Sequence, residues 1–175
     1  MNPHRDDQPF MDALEGLKRG DFSKLEPLFG DGEGADTPRI IEWHRQGRFA
    51  SEPQALAEAL TCASFLGRTA VVRYLLQHGV DPSGGSATGM NAIHWAANRG
   101  QLEAVKLLVH ANVPLETRSM YGGTALGTAV WAAANEPRGA QLEVIEELLR
   151  AGAVVDDAEY PSGRKDVDAL LLRHR

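Results

Sequence analysis

Apolar residues recur along the chain at helical spacing, in short blocks separated by glycine-bearing breaks. The clearest stretch runs from Gly89 to Asn112. Ala92, Ile93, Ala96 and Ala97 form one small apolar face, Leu102, Val105, Leu108 and Val109 form another, and Asn98, Arg99 and Gly100 stand between them. Each predicted helix falls below the roughly 12 to 15 residues at which an isolated helix is marginal in water. Their faces must therefore be buried against neighbouring copies.

Such copies are present. Moving back 33 residues carries Ile93 to Leu60, Ala96 to Ala63, Gly100 to Gly67, Val105 to Val72, Lys106 to Arg73 and Leu108 to Leu75. Moving forward 33 carries Asn91 to Thr124, Ile93 to Leu126 and Ala96 to Ala129. The register then resumes at an offset of 40, with Leu102 on Leu142, Glu103 on Glu143, Val105 on Ile145 and Leu108 on Leu148. About seven residues are thus inserted between Val130 and Gln141. The stretch Trp131 to Ala140 is expected to prolong a first helix by about a turn before Pro137 ends it.

The flanks carry weaker copies. Phe10 to Phe29 predicts a helix pair broken at Gly20-Asp21, with Ala13, Leu14 and Leu17 on one stripe and Phe22, Leu25, Leu28 and Phe29 on the other. Met1 to Gln8 is polar and expected to be disordered at its tip. Gly30 to Ala50 is extra chain. Asp31 to Gly34 reads as a flexible acidic turn, Thr37-Pro38 as an N-cap followed by proline at N1, and Ile40, Ile41, Trp43 and His44 as a short amphipathic helix whose Trp43 plugs the junction. Ser51-Glu52-Pro53-Gln54 has capping-box form, placing a helix start at Glu52 or Pro53. Gly79, Asn112 and Gly152 follow the second helices, where a left-handed cap residue is expected. Val167, Leu170 and Leu171 make one last helix, with Arg173, His174 and Arg175 at its negative pole.

A 33-residue period of turn, helix, break and helix resembles the ankyrin repeat, whose first helix opens T-P-L-H-x-A. The matching stretches are Asn91-Ala92-Ile93-His94-Trp95-Ala96, Thr124-Ala125-Leu126-Gly127-Thr128-Ala129 and Glu58-Ala59-Leu60-Thr61-Cys62-Ala63, all lacking the family proline. The second-helix runs Gln101 to Leu108 and Gln141 to Ala153 match more fully. The resemblance covers about Glu52 to Val155, and the whole is most similar to short, stand-alone bacterial ankyrin-repeat proteins. It implies an all-α solenoid of stacked antiparallel helix pairs with short β-hairpin loops, forming one domain over residues 1–175. Its units would be an N-terminal capping unit at 9–50, repeats at 52–85, 86–118 and 119–158, and a C-terminal cap at 159–175. Asp81 to Gly85, Pro114 to Glu116 and Tyr121 to Gly123 would belong to the hairpin loops.

Composition narrows the setting. Three tryptophans, three tyrosines and five phenylalanines in 175 residues are few, as expected where Ala, Leu and Val layers build the core. The single cysteine, Cys62, excludes an intrachain disulfide and a Cys-based zinc site. With no apolar signal region behind the N-terminus and no long apolar run, a cytoplasmic protein off the membrane is expected. A net charge of -6 argues against nucleic acid, which requires a cationic face.

Candidate chemistry is thin. Gly84 to Asn91 has the G-x-x-x-x-G spacing of a phosphate loop, but Met90 and Asn91 occupy the Lys and Ser/Thr places and no strand precedes it, so a hairpin tip is the better reading. His94 shares a helical face with Asn91 and Asn98, as a base with orienting groups would. The resemblance makes it a structural histidine bonded to the neighbouring hairpin backbone. No nucleophile or carboxylate pair supports it, and the chain is expected not to be an enzyme. His4, His44, His78, His110 and His174 are scattered, so no metal or other cofactor is expected. Cys62 reads as a small buried hydrophobe.

In ankyrin proteins, partners dock on the concave face, built from hairpin residues and from the ends of the first helices. Carried onto this chain, that surface comprises Phe65, Leu66, Asn98, Arg99 and Trp131 at helix ends, Ala87, Thr88, Met90, Met120 and Tyr121 in the loops, and Glu136 and Arg138 in the insertion. Aromatic, Met and Arg side chains are the types enriched in interface cores. The expected function is therefore non-catalytic protein binding by a chain that is monomeric when free. Against this, Phe65 and Leu66 could pack under the extra N-terminal segment and Trp131 under its own insertion. Two alternatives stand: an inhibitor or immunity-type subunit whose acidic surface favours a basic target, and a small-ligand or anion site at Gly84 to Asn98.

Overall fold

The apolar helix faces predicted by the spacing pack against one another within each unit and from unit to unit. The computed structural model describes residues 7–30, 36–156 and 160–175. The polar tip before Asp7, the acidic turn at Asp31 to Gly34 and the stretch Asp157 to Glu159 lie outside them. In chain order the helices are α1 (Gln8–Arg19), α2 (Phe22–Leu25) continued by a 3-10 turn (Glu26–Phe29), α3 (Arg39–Arg45), α4 (Pro53–Leu66), α5 (Thr69–Gln77), α6 (Ala92–Asn98), α7 (Leu102–His110), α8 (Ala125–Asn135), α9 (Gln141–Arg150) and α10 (Lys165–Leu172). The first helices α4, α6 and α8 stack in sequence, as do the second helices α5, α7 and α9, with α1 laid on α4 and α10 on α9. The result is an all-α solenoid of helix pairs.

The repeat register decides what is buried. Leu60, Ile93 and Leu126 are buried at one level, Val72, Val105 and Ile145 at a second, and Leu75, Leu108 and Leu148 at a third. α4 and α6 end where Gly67 and Gly100 take left-handed backbone, with φ of 69° and 68°. A glutamine from the next unit lies over each glycine. Gln101 Nε2 donates to Phe65 O at 3.3 Å, and Gln141 Nε2 donates to Ala97 O at 2.7 Å and Ala129 O at 3.2 Å. Phe65 O and Ala97 O, near the ends of their first helices, thereby gain partners one repeat away, and Ala129 O gains one within its own repeat. Gly79, Asn112 and Gly152 also have positive φ, as their places after the second helices require.

Among the described residues the connecting loops are turns in which no strand forms. The first of these loops is instead held by α4, through Thr61 Oγ1 donating to Gly85 O at 2.7 Å and Ala87 N donating to Glu58 Oε1 at 2.9 Å. Ser51 forms no capping box: α4 starts at Pro53 without a side-chain cap, because Gln54 Nε2 reaches Gly84 O at 2.7 Å. Pro38, with φ -54° and ψ 138°, is itself the N-cap of α3. Gln8 is already helical.

The extra N-terminal chain folds back onto the stack. Trp43 is buried, and Phe10 meets it edge-on at 5.3 Å and Phe49 at 5.1 Å between ring centroids. At the other end, Val167 and Leu171 of α10 are buried against the last pair.

Leu108→Asp is expected to abolish the single cooperative melt, since an unpaired buried charge costs several kcal/mol, while Leu172→Asp at an exposed site leaves it within about 0.5 kcal/mol. Gly100→Ala should cost at least about 1 to 2 kcal/mol, from left-handed backbone and from a Cβ 3.1 Å from Gln141 Oε1. Gly139, where a Cβ meets nothing, should accept alanine nearly neutrally. Urea denaturation of the four variants checks both.

Candidate functional site

The side chains just ahead of the Gly67 and Gly100 breaks are aimed along the stack by those breaks. Phe65 meets Phe22 at 5.8 Å on one side and Trp95 at 5.1 Å on the other, so an aromatic row runs from the N-terminal unit into the second repeat. Trp95 is oriented by its indole Nε1, which donates to Thr88 Oγ1 at 2.7 Å. The Arg99 guanidinium lies over the Phe65 ring at 4.7 Å. In α8, Ala133 takes the place that glycine holds in α4 and α6, and the helix runs on to Asn135. Trp131, the counterpart of Asn98 just ahead of that extra turn, is 51% exposed.

Together these elements border a groove of about 1020 Å3. Seven of the predicted binding residues line it: Phe65, Met90, Asn98, Arg99, Tyr121, Trp131 and Glu136. Met90, however, is 6% exposed and belongs to the floor, so it is no anchor. Leu66 is half-buried against the core. Thr88 serves Trp95, Ala87 is exposed with its N–H given to Glu58, and Met120 is 72% exposed outside the lining. Arg138 also stands outside it, yet beside its cationic end: a Cβ on Gly100 would lie 3.4 Å from Arg138 Cβ. Phe65 is thus partly covered by the N-terminal unit, whereas Trp131 is not covered by its insertion.

The groove also holds residues that sequence reasoning missed. Trp95 follows the motif histidine and sits seven places after Thr88, a pairing the helical pattern does not mark. Arg118 and Asp156 form an ion pair at 2.7 Å across two loops, and Arg118 Nη1 donates to Gly122 O at 2.7 Å. Thirty-eight residues separate the pair, so no local signal links them.

Electrostatics bear on the other candidates. His94 Nδ1 accepts from Asn91 N at 3.3 Å, so its Nε2 carries the proton and donates to Thr117 O at 2.9 Å. With Asn91 Oδ1 accepting from His94 N at 3.3 Å, this is a capping box with histidine in the Glu/Gln role. Burial lowers the His94 pKa, partly offset by hydrogen bonds to Thr117 and Gly123. The ring is engaged on both nitrogens and holds structure. At the glycine-rich loop, backbone N–H groups of Ser86 and Ala87 already point at a carboxylate, the buried Glu58, whose pKa burial nevertheless raises. The amides an external anion would need are taken, and Gly85 is pressed against Ala57 and Thr61. The anion-loop reading fails on that geometry. Burial drives the Cys62 thiol pKa well up, which disfavours the thiolate. Among the described residues no three His, Cys, Asp or Glu side chains gather as a metal cluster, and no helix is long and apolar enough to cross a membrane.

A family model for ankyrin repeats, in three copies, matches residues 60–159. Among solved structures, that of EF0377, an ankyrin-repeat protein, aligns with a TM-score of 0.59 at 20% identity, covering 93% of this chain and 97% of that one. At that identity the likeness is one of fold. No curated protein matches the chain in sequence.

The His94 environment sets a pH dependence. Because its folded pKa lies below the ordinary value of about 6.5, the unfolded chain takes up the proton first. Stability should therefore be flat above that pH and fall as pH drops through it toward the folded value. His44, lowered by burial and by His78, acts in the same direction. Thermal melts from about pH 7.5 to 5.5 should show a shallower decline in His94→Gln than in wild type. Equal slopes would contradict the neutral assignment.

Proposed function

The chain belongs to the ankyrin-repeat family, and on that premise we propose that it is a non-catalytic protein-binding module whose docking surface is the Phe65 to Trp131 groove with its bordering loops. The observation that carries this is the exposure of Trp131 at 51% and Tyr121 at 72%, on a stack whose repeated core positions, Leu60, Ile93 and Leu126, are buried. Rigid aromatic side chains held out by a pre-ordered scaffold lose little entropy on docking and supply most of the affinity. Ser119 N donating to Gly123 O at 2.9 Å and Tyr121 N to Ser119 Oγ at 3.2 Å support a loop pre-shaped for that task.

The repeats at 52–85, 86–118 and 119–158 supply the groove in this reading, and the units at 9–50 and 159–175 close the ends, which favours a monomer when free. The unpaired, buried Cys62 suits a cytoplasmic setting.

Affinity capture with the immobilised full chain, run beside Trp131→Ala and Tyr121→Ala, tests the reading. A specific partner should bind wild type and lose roughly 30-fold or more in affinity to each variant, the scale of an interface hot spot. A partner retained equally by both variants would place docking elsewhere.

A further inference from the structure

The chain is acidic overall, yet among the described residues that line its groove one cation has no acid paired with it. Arg99, Arg118, Glu136 and Asp156 line it, and Arg138 stands beside it. Two pairs account for four of these five charges: Arg118 with Asp156 at 2.7 Å and Arg138 with Glu136 at 3.3 Å. Arg99 remains. Among the described residues its guanidinium makes no hydrogen bond or ion pair. It rests on the face of Phe65 at 4.7 Å, a placement that leaves the N–H edge for a planar acceptor. Among the described residues Arg138 Nε, shut off from water, also has no acceptor. Burial first, then the neighbouring Arg138, lower the Arg99 pKa, with Glu136 opposing them. A cation kept in that position gains from an arriving anion twice, by pairing and by relief from its like-charged neighbour.

Resting on the groove reading above, we infer that the partner segment is acidic: a side-chain carboxylate seats on the N–H edge of Arg99, and an apolar or aromatic neighbour in the same segment packs on Trp131. Among the described charges Arg99 alone lacks an acid, and one carboxylate matches it. A phosphate would bring nearly twice the charge toward Glu136 and Asp156, which line the same groove and repel it. A basic partner, favoured by the net charge of -6 for the surface at large, would set its cations against Arg99 and Arg138.

Selection of a random-peptide library on the immobilised full chain tests this, followed by affinity measurement on the leading peptide by fluorescence anisotropy. The selected sequences should share an Asp or Glu within a few residues of a large apolar side chain. Arg99→Glu should weaken the lead peptide about tenfold or more, and replacing the peptide's acid by lysine should restore binding to that variant. Thermal melts confirm folding, and Arg99→Gln, which removes the charge without reversing it, should weaken the same peptide if Arg99→Glu is unstable. Peptides lost by Trp131→Ala but indifferent to Arg99→Glu and Arg99→Gln would overturn the carboxylate assignment and leave the groove standing. Tighter binding of the lead peptide with phosphoserine in place of its acid would overturn it too. A selection yielding nothing that depends on Trp131 would overturn the groove reading and this inference with it.

Discussion

A side-chain amide laid across a left-handed glycine is the contact on which the repeat stack depends. At Gly67 and Gly100 the first helix must stop, reverse and leave carbonyls without helical partners. Gln101 and Gln141 donate to such carbonyls from the following unit, and each fits because no Cβ stands on the glycine beneath it. The requirement for glycine and the requirement for a neighbour are therefore one. Phe65 and Arg99, which line the groove, stand just ahead of these glycines, so the seam that ties repeats together also aims them.

The seven-residue insertion keeps that seam while changing what it presents. With Ala133 at the place of the glycine, α8 continues for another turn, and the chain must then travel back before Gln141 can reach Ala97 O and Ala129 O. The return path delivers Glu136 and Arg138 close to Arg99. An insertion at the surface thereby alters charge and aromatic exposure without disturbing Ile145 and Leu148 in the core.

The loops achieve order without strand pairing because first-helix side chains hold them. Glu58 and Thr61 of α4 bind the loop that follows, and His94 of α6 binds Thr117 in the next. These are buried polar contacts with defined donors and acceptors, which specify one arrangement of the loop. They also explain why the two features most like chemistry, a histidine between polar groups and a glycine-rich loop before a helix, are structural: their hydrogen-bonding capacity is spent within the chain.

Sequence alone determined the helices, their breaks, the left-handed cap positions at Gly79, Asn112 and Gly152, the insertion and the buried register from Leu60 to Leu148. Each is dictated by spacing along one strand of chain, through helical periodicity and the steric freedom of glycine and asparagine. The tertiary structure decided what local spacing does not encode. Gln54 abandons the expected capping box because Gly84 O lies within reach, Met90 sinks into the groove floor, Phe22 and Trp95 clasp Phe65, and Trp131 stays in solvent. Among the described residues Arg99 pairs with no acid, while Arg138 pairs with Glu136 and Arg118 with Asp156. Exposure and charge balance depend on which residues meet across repeats, and that is set by the stacking of units whose own patterns are nearly alike.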